Sequence, residues 1–351
     1  MATRSNSKTR VSRRQSPPPW ARWPAERLLD LKLCDLGVTI EGTPLEPRIA
    51  QVQEELDRRD LRIKPYFWLS DDWYTPEGTT GTAIPFYLAH PRLIRLQRSM
   101  NAEVEGAAHD WCLKILRHEV GHVIDHAFRL NRRKKRQQLF GLSSKNYPHV
   151  YRPNPFSRRH VQHLYYWYAQ SHPDEDFAET FAVWLAPSNG WRRRYQGWPA
   201  MKKLEYMNEL MRELAGERAP VRTRSRVDPL SKLRRTLRDY YAGWQRGAAS
   251  LYPVFYDEDL LRLFARERGR GRPTAAAFLR RARPDIIRLI GRWLGEHRYQ
   301  LDHVLQDMIG RCRELKLYLK GRESAAQIDV AILLTKHTMN SLYRHRRWVE
   351  L

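Results

Sequence analysis

The chain has 351 residues, 42% of them hydrophobic, and a formal net charge of +24. That length accommodates a catalytic domain of about 200 residues with a smaller second unit. No apolar run approaches the roughly 20 residues that a membrane span requires, mean hydropathy is -0.70, and the N-terminus lacks the apolar stretch of a secretory signal, so a cytoplasmic protein with no membrane partner is expected.

Residues 1–24 carry Ser, Arg and a Pro triplet with almost no apolar periodicity, the composition of a disordered basic arm. A globular domain is expected over 25–215. Within it, ELDRRDLRIKPYFWLS and TAIPFYLAH, residues 82–90, hold short β-branched and aromatic runs bounded by turn signals. They predict strands of a small sheet, with 82–90 as an edge that could pair with an extended peptide.

The next stretch, AEVEGAAHDWCLKILRHEVGHVIDHAFRL, places apolar residues at 104, 108, 111, 112, 115, 116, 120, 123, 124, 127 and 128, the rhythm of one long helix. A loop-rich aromatic insert is expected from about 131 to 170. It opens with the cationic run RRKKR, which suits the partial negative charge at a helix C-terminus. In SHPDEDFAETFAVWL, Pro173 fits a first helical position, acidic residues fill the first turn, and Phe177, Phe181, Trp184 and Leu185 form an apolar stripe. Pro187 ends that second helix, and WPAMKKLEYMNELMRELAG predicts a third. GERAPVRTRSRVDP reads as a linker, so 216–250 is expected to be linker and the start of a helical region, and 251–351 a basic, all-helical C-terminal region. Residues 218–351 hold 29 Lys and Arg against 14 Asp and Glu, which leaves +15 of the net charge there.

The segment RHEVGHVIDH carries His118, Glu119 and His122 in the spacing H-E-x-x-H. Residues four apart on a helix differ by about 40° of rotation, so both imidazoles project to one side and can share an ion. Glu119, turned by about 100°, sits beside the metal without ligating it, which is the place for a general base acting on a zinc-activated water. Asp125 returns to nearly the same face, where its carboxylate would hydrogen-bond a ligand imidazole and fix its tautomer. Cys112 lies off that face, and His126 is read as a non-ligand. A third ligand is required. On the second helix, Glu175 and Glu179 form a like-charged pair beside phenylalanines, unfavourable unless cations face it; the spacing leaves both open as the ligand.

HEVGHVIDHA followed by YWYAQSHPDEDFAETFAVWL resembles the bacterial "putative zinc-binding metallopeptidase" family and, more distantly, the gluzincin catalytic domain of anthrax lethal factor. The resemblance covers roughly 25–215 and includes WLSDDWYTPEG and IPFYLAHPRL. It implies an α+β, zincin-like metallopeptidase domain with a small sheet and the HExxH helix, Zn2+ as cofactor, and a peptide or protein substrate. By the same resemblance Glu175 in EDFAE is the third ligand, Glu179 supports it, and Tyr168 donates to the oxyanion of a tetrahedral intermediate.

The positive charge suggests a second reading, a nucleic-acid-associated protein that binds through its basic helical C-terminal region. Arginine makes up 50 of the 63 cations, a skew that a G+C-rich genome also produces. A structural zinc site would be closed by four protein ligands, whereas two His and one Glu leave a position for water. Cys34, Cys112 and Cys312 are too few and too scattered for a disulfide framework or a Cys-rich site.

Overall fold

The computed structural model describes residues 18–101, 104–148, 150–151, 153–154, 156–187, 190–242, 257–267, 269, 271–294, 298–343 and 349–350. Contacts within the chain divide it into two compact units. One extends through Lys145 and adds Arg158–Leu164 and Pro173–Tyr241; the other comprises Asn146–Ser157, Tyr165–His172 and the residues from Ala242 on.

The first unit contains α1 (Ala25–Leu29), α2 (Leu45–Asp57), β1 (Tyr66–Ser70), β2 (Gly81–Pro85), α3 (Pro91–Asn101), α4 (His109–Phe128), α5 (Lys134–Phe140), α6 (Pro173–Leu185), α7 (Trp191–Arg194) and α8 (Met201–Glu213). It is helix-rich with a small sheet, an α+β arrangement. Strands β1 and β2 run parallel, with Trp68 opposite Ala83. The strand expected over 82–90 is shorter, because Phe86–Ala89 turn into a 3-10 helix. Its far side is also not free at Ala83, whose N–H donates to Tyr74 O at 2.8 Å.

Helix α4 begins at His109 and ends where Arg129 adopts a left-handed conformation at φ 52°. Its apolar face, Leu116, Val120, Val123 and Ile124, joins Phe177, Phe181 and Trp184 of α6 and Leu204, Met207 and Leu210 of α8 in one core. The periodicity of each segment thus meets the others in a shared interior. The closest approach is at Gly121. A Cβ there would lie 2.8 Å from Ala178 Cα and 3.0 Å from Ala178 O. Glycine inside a helix costs about 0.5–1 kcal/mol relative to alanine, and here it lets two helices touch backbone to backbone.

Both boundaries of the expected domain move. Residues 1–17 of the expected arm lie outside the described residues, but Trp20 is buried and its Nε1 donates to Leu36 O at 2.9 Å, so the ordered unit starts before residue 25. At the other end, the segment expected as linker stays on the first unit through Tyr241. Its carbonyls accept from side chains on or beside the sheet: Ser225 O from Tyr66 Oη at 2.5 Å, Val227 O from Trp68 Nε1 at 2.9 Å and Tyr74 Oη at 2.8 Å, and Asp228 O from Ser70 Oγ at 2.7 Å. Leu237, Tyr240 and Tyr241 then enter the core. A Pro- and Arg-rich stretch has no apolar rhythm of its own, and its partners are polar groups that lie far away in sequence.

The second unit holds α9 (Asp257–Leu263), α10 (Ala275–Leu294), α11 (Arg298–Glu314) and α12 (Glu323–Tyr343) around a core that includes Leu279, Ile286, Leu305, Met308, Val330 and Leu334. The all-helical expectation for 251–351 requires correction, since Phe264–Ala265 pair antiparallel with Tyr318–Leu319. Part of the expected insert also belongs here: Val150–Tyr151 pair with Val349–Glu350. Among the described residues, no helix is long and apolar enough to cross a membrane.

Gly121→Ala tests the helix contact. Forcing a methyl into it is expected to cost about 1–3 kcal/mol and to weaken metal binding, as read by thermal melting and zinc titration. Unchanged melting and unchanged affinity would show that the crossing is not held by this contact.

Candidate metal centre

Helix α4 supplies His118 and His122, and α6 supplies Glu175 and Glu179. His118 Nε2 lies 2.9 Å from Glu175 Oε2, His122 Nε2 lies 3.2 Å from the same oxygen, and the two Nε2 atoms are 3.2 Å apart. Zinc bonds of roughly 2.0–2.1 Å at tetrahedral angles separate donors by about 3.3–3.4 Å. The triangle is therefore close to the size the ion needs, and two imidazoles with one carboxylate are a donor set that zinc accepts. These three residues form the metal-compatible cluster found among the described residues.

Glu179 has a different task. Its Oε1 lies 3.0 Å from His118 Nδ1, and its Oε2 accepts the Leu164 N–H at 2.9 Å. With Nδ1–H donating to Glu179, His118 keeps its Nε2 lone pair directed at the cluster. This geometry separates the two glutamates that spacing alone left open, with Glu175 facing both Nε2 atoms and Glu179 behind one ring.

Glu119 is buried next to the cluster, and its Oε2 accepts from Thr75 Oγ1 at 2.8 Å. Thr75 Oγ1 is in turn 2.7 Å from Thr82 Oγ1 on β2, which ties the carboxylate to the sheet. Burial raises the Glu119 pKa above the ordinary carboxylate value, while His118, His122 and Thr75 oppose the rise. Burial acts the same way on Glu175, but His122 and His118 outweigh it and hold that carboxyl well below its usual range. For His118, burial disfavours the charged ring, yet hydrogen bonds with Glu175 and Glu179 dominate and raise its pKa to about 10.

Asp125 does not take the role expected of it. Its Oδ2 accepts from Arg136 Nη2 at 2.8 Å, and its Oδ1 is buried without a hydrogen-bond partner. Arg136, fully buried, also donates to Asp174 Oδ1 at 2.5 Å and to Gly141 O at 3.0 Å. Asp125 thus fastens α4 to the first turn of α6 through a guanidinium instead of orienting an imidazole. Arg136 belongs to the cationic run assigned above to the helix end, and no pattern marked it as internal. Thr75 and Thr82 were likewise unmarked. Tyr168 lies on the 3-10 turn Tyr165–Gln170 of the second unit, where its carbonyl accepts the Ser171 N–H at 2.9 Å. Cys112 is a buried free thiol, and His126 is outside the cluster of donor atoms.

The family described as "Putative zinc-binding metallo-peptidase" matches residues 112–193, a span that includes His118, Glu119, His122, Glu175 and Glu179. Neither the curated proteins nor the solved structures provide a match to the chain.

Two outcomes are expected. Purified protein should hold about one zinc per chain, and Glu175→Gln should lower zinc affinity more than Glu179→Gln, because losing a ligand exceeds the roughly 10- to 100-fold cost of losing a ligand's hydrogen-bond partner. Competition titration against a chelator measures both, and the reverse order would make Glu179 the ligand. The second concerns pH. A folded-state His118 pKa of about 10, above the unfolded value of about 6.5, gives stability that is complete below the lower value and lost as pH rises through the upper one. Chelator-stripped protein should therefore melt lower at pH 10 than at pH 6.5. His118→Gln should remove that part of the slope, and an identical slope in the variant would contradict the assignment.

Proposed function

We propose that the first unit is a zinc-dependent metallopeptidase of the gluzincin type with a zincin-like active site, hydrolysing peptide bonds in a protein or peptide substrate. The observation that supports this reading most directly is the convergence of His118 Nε2, His122 Nε2 and Glu175 Oε2 beside a buried carboxylate, Glu119, that none of the three needs as a fourth ligand. Zinc held by these atoms would supply Lewis acidity, enough to bring the pKa of a water toward about 7 and to polarise a carbonyl.

The protein's own groups perform the remaining steps. His118, His122 and Glu175 would hold the ion, and a set of three protein donors would leave room for a water. Glu119 takes the proton of the attacking water, whose oxygen bonds to the carbonyl carbon, and passes it to the departing amine as the C–N bond breaks. Thr75 holds Oε2 of that carboxylate in place, so the other oxygen is available for the proton. Glu179 keeps His118 in the ligating tautomer.

Glu119→Gln is nearly isosteric and removes the proton acceptor. Zinc content and fold should remain while hydrolysis of a peptide found by substrate profiling of the wild type falls on the order of 100-fold or more. Near wild-type turnover by the variant would sink the general-base role, and loss of zinc comparable to that of His118→Ala would make Glu119 a ligand.

A further inference from the structure

The first unit carries a cavity of about 590 Å³ whose lining includes Arg62, Lys64, Arg218, Arg222 and Arg224 with a single carboxylate, Asp57, and no residue of the metal cluster. All six side chains belong to exposed residues. The local anions are already engaged: Asp57 accepts from Gln53 Nε2 at 2.9 Å, and Asp60 pairs with Arg62 at 3.3 Å. Among the described residues, no ion pair is formed by Lys64, Arg218, Arg222 or Arg224. Like charges gathered in a concavity repel one another and concentrate positive potential there, an arrangement that an anionic ligand relieves.

The backbone fixes how these charges are presented. Residues 216–228 are strapped to the unit at both ends and along their length. Gly216 N donates to Asp60 O at 2.8 Å, Val221 N to Ala127 O at 3.1 Å, and Thr80 N to Thr223 O at 3.2 Å, followed by the carbonyl contacts at Ser225, Val227 and Asp228. Alternate carbonyls, at 223, 225 and 227, face the unit, which is the pattern of an extended chain. Arg222, Arg224 and Arg226 therefore recur on one face about 6.6 Å apart. An extended peptide with an acidic residue at every second position repeats its carboxylates at the same interval.

We propose that this strap is a binding site for an extended acidic segment of a polypeptide substrate. Two placements favour it. Thr80, which lines the cavity and bonds the strap, is two residues along the chain from Thr82, the hydroxyl linked through Thr75 to Glu119. Ala127, which anchors the strap, is eight residues beyond Glu119 on α4, about 12 Å along the helix axis, a distance spanned by roughly four residues of extended peptide. A nucleic-acid strand is disfavoured because the nearby aromatics are committed. Tyr66 and Trp68 stack on each other with centroids 5.5 Å apart, donate to strap carbonyls, and Arg224 lies over Tyr66, so they do not form the free platform on which bases stack. The choice of a peptide rests on the peptidase reading; the anion site itself does not.

The test is binding, not cleavage. A fluorescein-labelled peptide of alternating Glu and Ala is titrated by anisotropy into the full-length zinc-loaded Glu119→Gln protein. Arg222→Ala with Arg224→Ala should weaken binding by about tenfold or more, whereas a charge-matched pair on another surface, Arg193→Ala with Lys202→Ala, should change it less than about twofold. Zinc content verifies that each variant is folded. Equal loss in both pairs would reduce the effect to overall charge and overturn the proposal. Tighter binding of a single-stranded oligonucleotide of equal charge, lost in the groove variant alone, would reassign the site to nucleic acid. If acidic peptide binds as expected and no peptide is ever cleaved by the wild type, the peptidase reading fails while the anion site stands.

Discussion

The backbones of two helices meet at a glycine, and the convergence of the histidines and glutamates in the candidate metal site depends on that meeting. Gly121 of α4 lies against Ala178 of α6 so closely that a Cβ has no room. His118 and His122 stand one turn apart and flank this contact in sequence, as do Glu175 and Glu179 on the partner helix. A wider crossing would separate the carboxylates from the imidazoles by ångströms and leave buried charges without partners. The core formed by Val120, Ile124, Phe177 and Phe181 holds the helices together, and Arg136 bridges Asp125 to Asp174 at the entry of α6. A guanidinium buried to this extent is tolerable because two carboxylates and a carbonyl neutralise and hydrogen-bond it, and removing it would strand Asp125 in the interior.

The same economy of placement governs the buried carboxylate of Glu119. Glu119 is adjacent in sequence to His118 but points elsewhere, because one residue of helix is a rotation of about 100°. Its direction is set from outside the helix by Thr75, itself backed by Thr82 on β2. The sheet is small, yet it does two jobs. One strand carries the hydroxyl that backs Thr75 against Glu119, and the pair serves as the frame onto which the arginine strap is tied.

How much of this was legible depends on whether a residue acts through its own periodicity or through a distant partner. The helix of HExxH, the second helix from Pro173 and the set His118, His122, Glu175 and Glu179 were readable, since helical spacing fixes which side chains share a face. The choice between Glu175 and Glu179 is not a matter of spacing: the resemblance implies Glu175, and only the folded geometry shows that Glu175 faces both Nε2 atoms while Glu179 lies behind the His118 ring. Asp125 lies on the right face but answers to Arg136, a residue in a cationic run that resembled a solvated helix end. Thr75 and Thr82 sit in or beside turn-rich sequence, where no pattern distinguishes a hydroxyl aimed at a carboxylate from one facing water. The strap reads as linker for a related reason: it is held by backbone N–H and carbonyl groups, which no pattern of side chains marks.

The central claim is that two imidazoles and one carboxylate bind zinc and leave a position open. Zinc-edge X-ray absorption of the purified protein tests it directly. The account predicts only nitrogen and oxygen neighbours at roughly 2.0–2.1 Å, with the outer-ring scattering of two imidazoles. A sulfur neighbour near 2.3 Å, or a single imidazole, would contradict it.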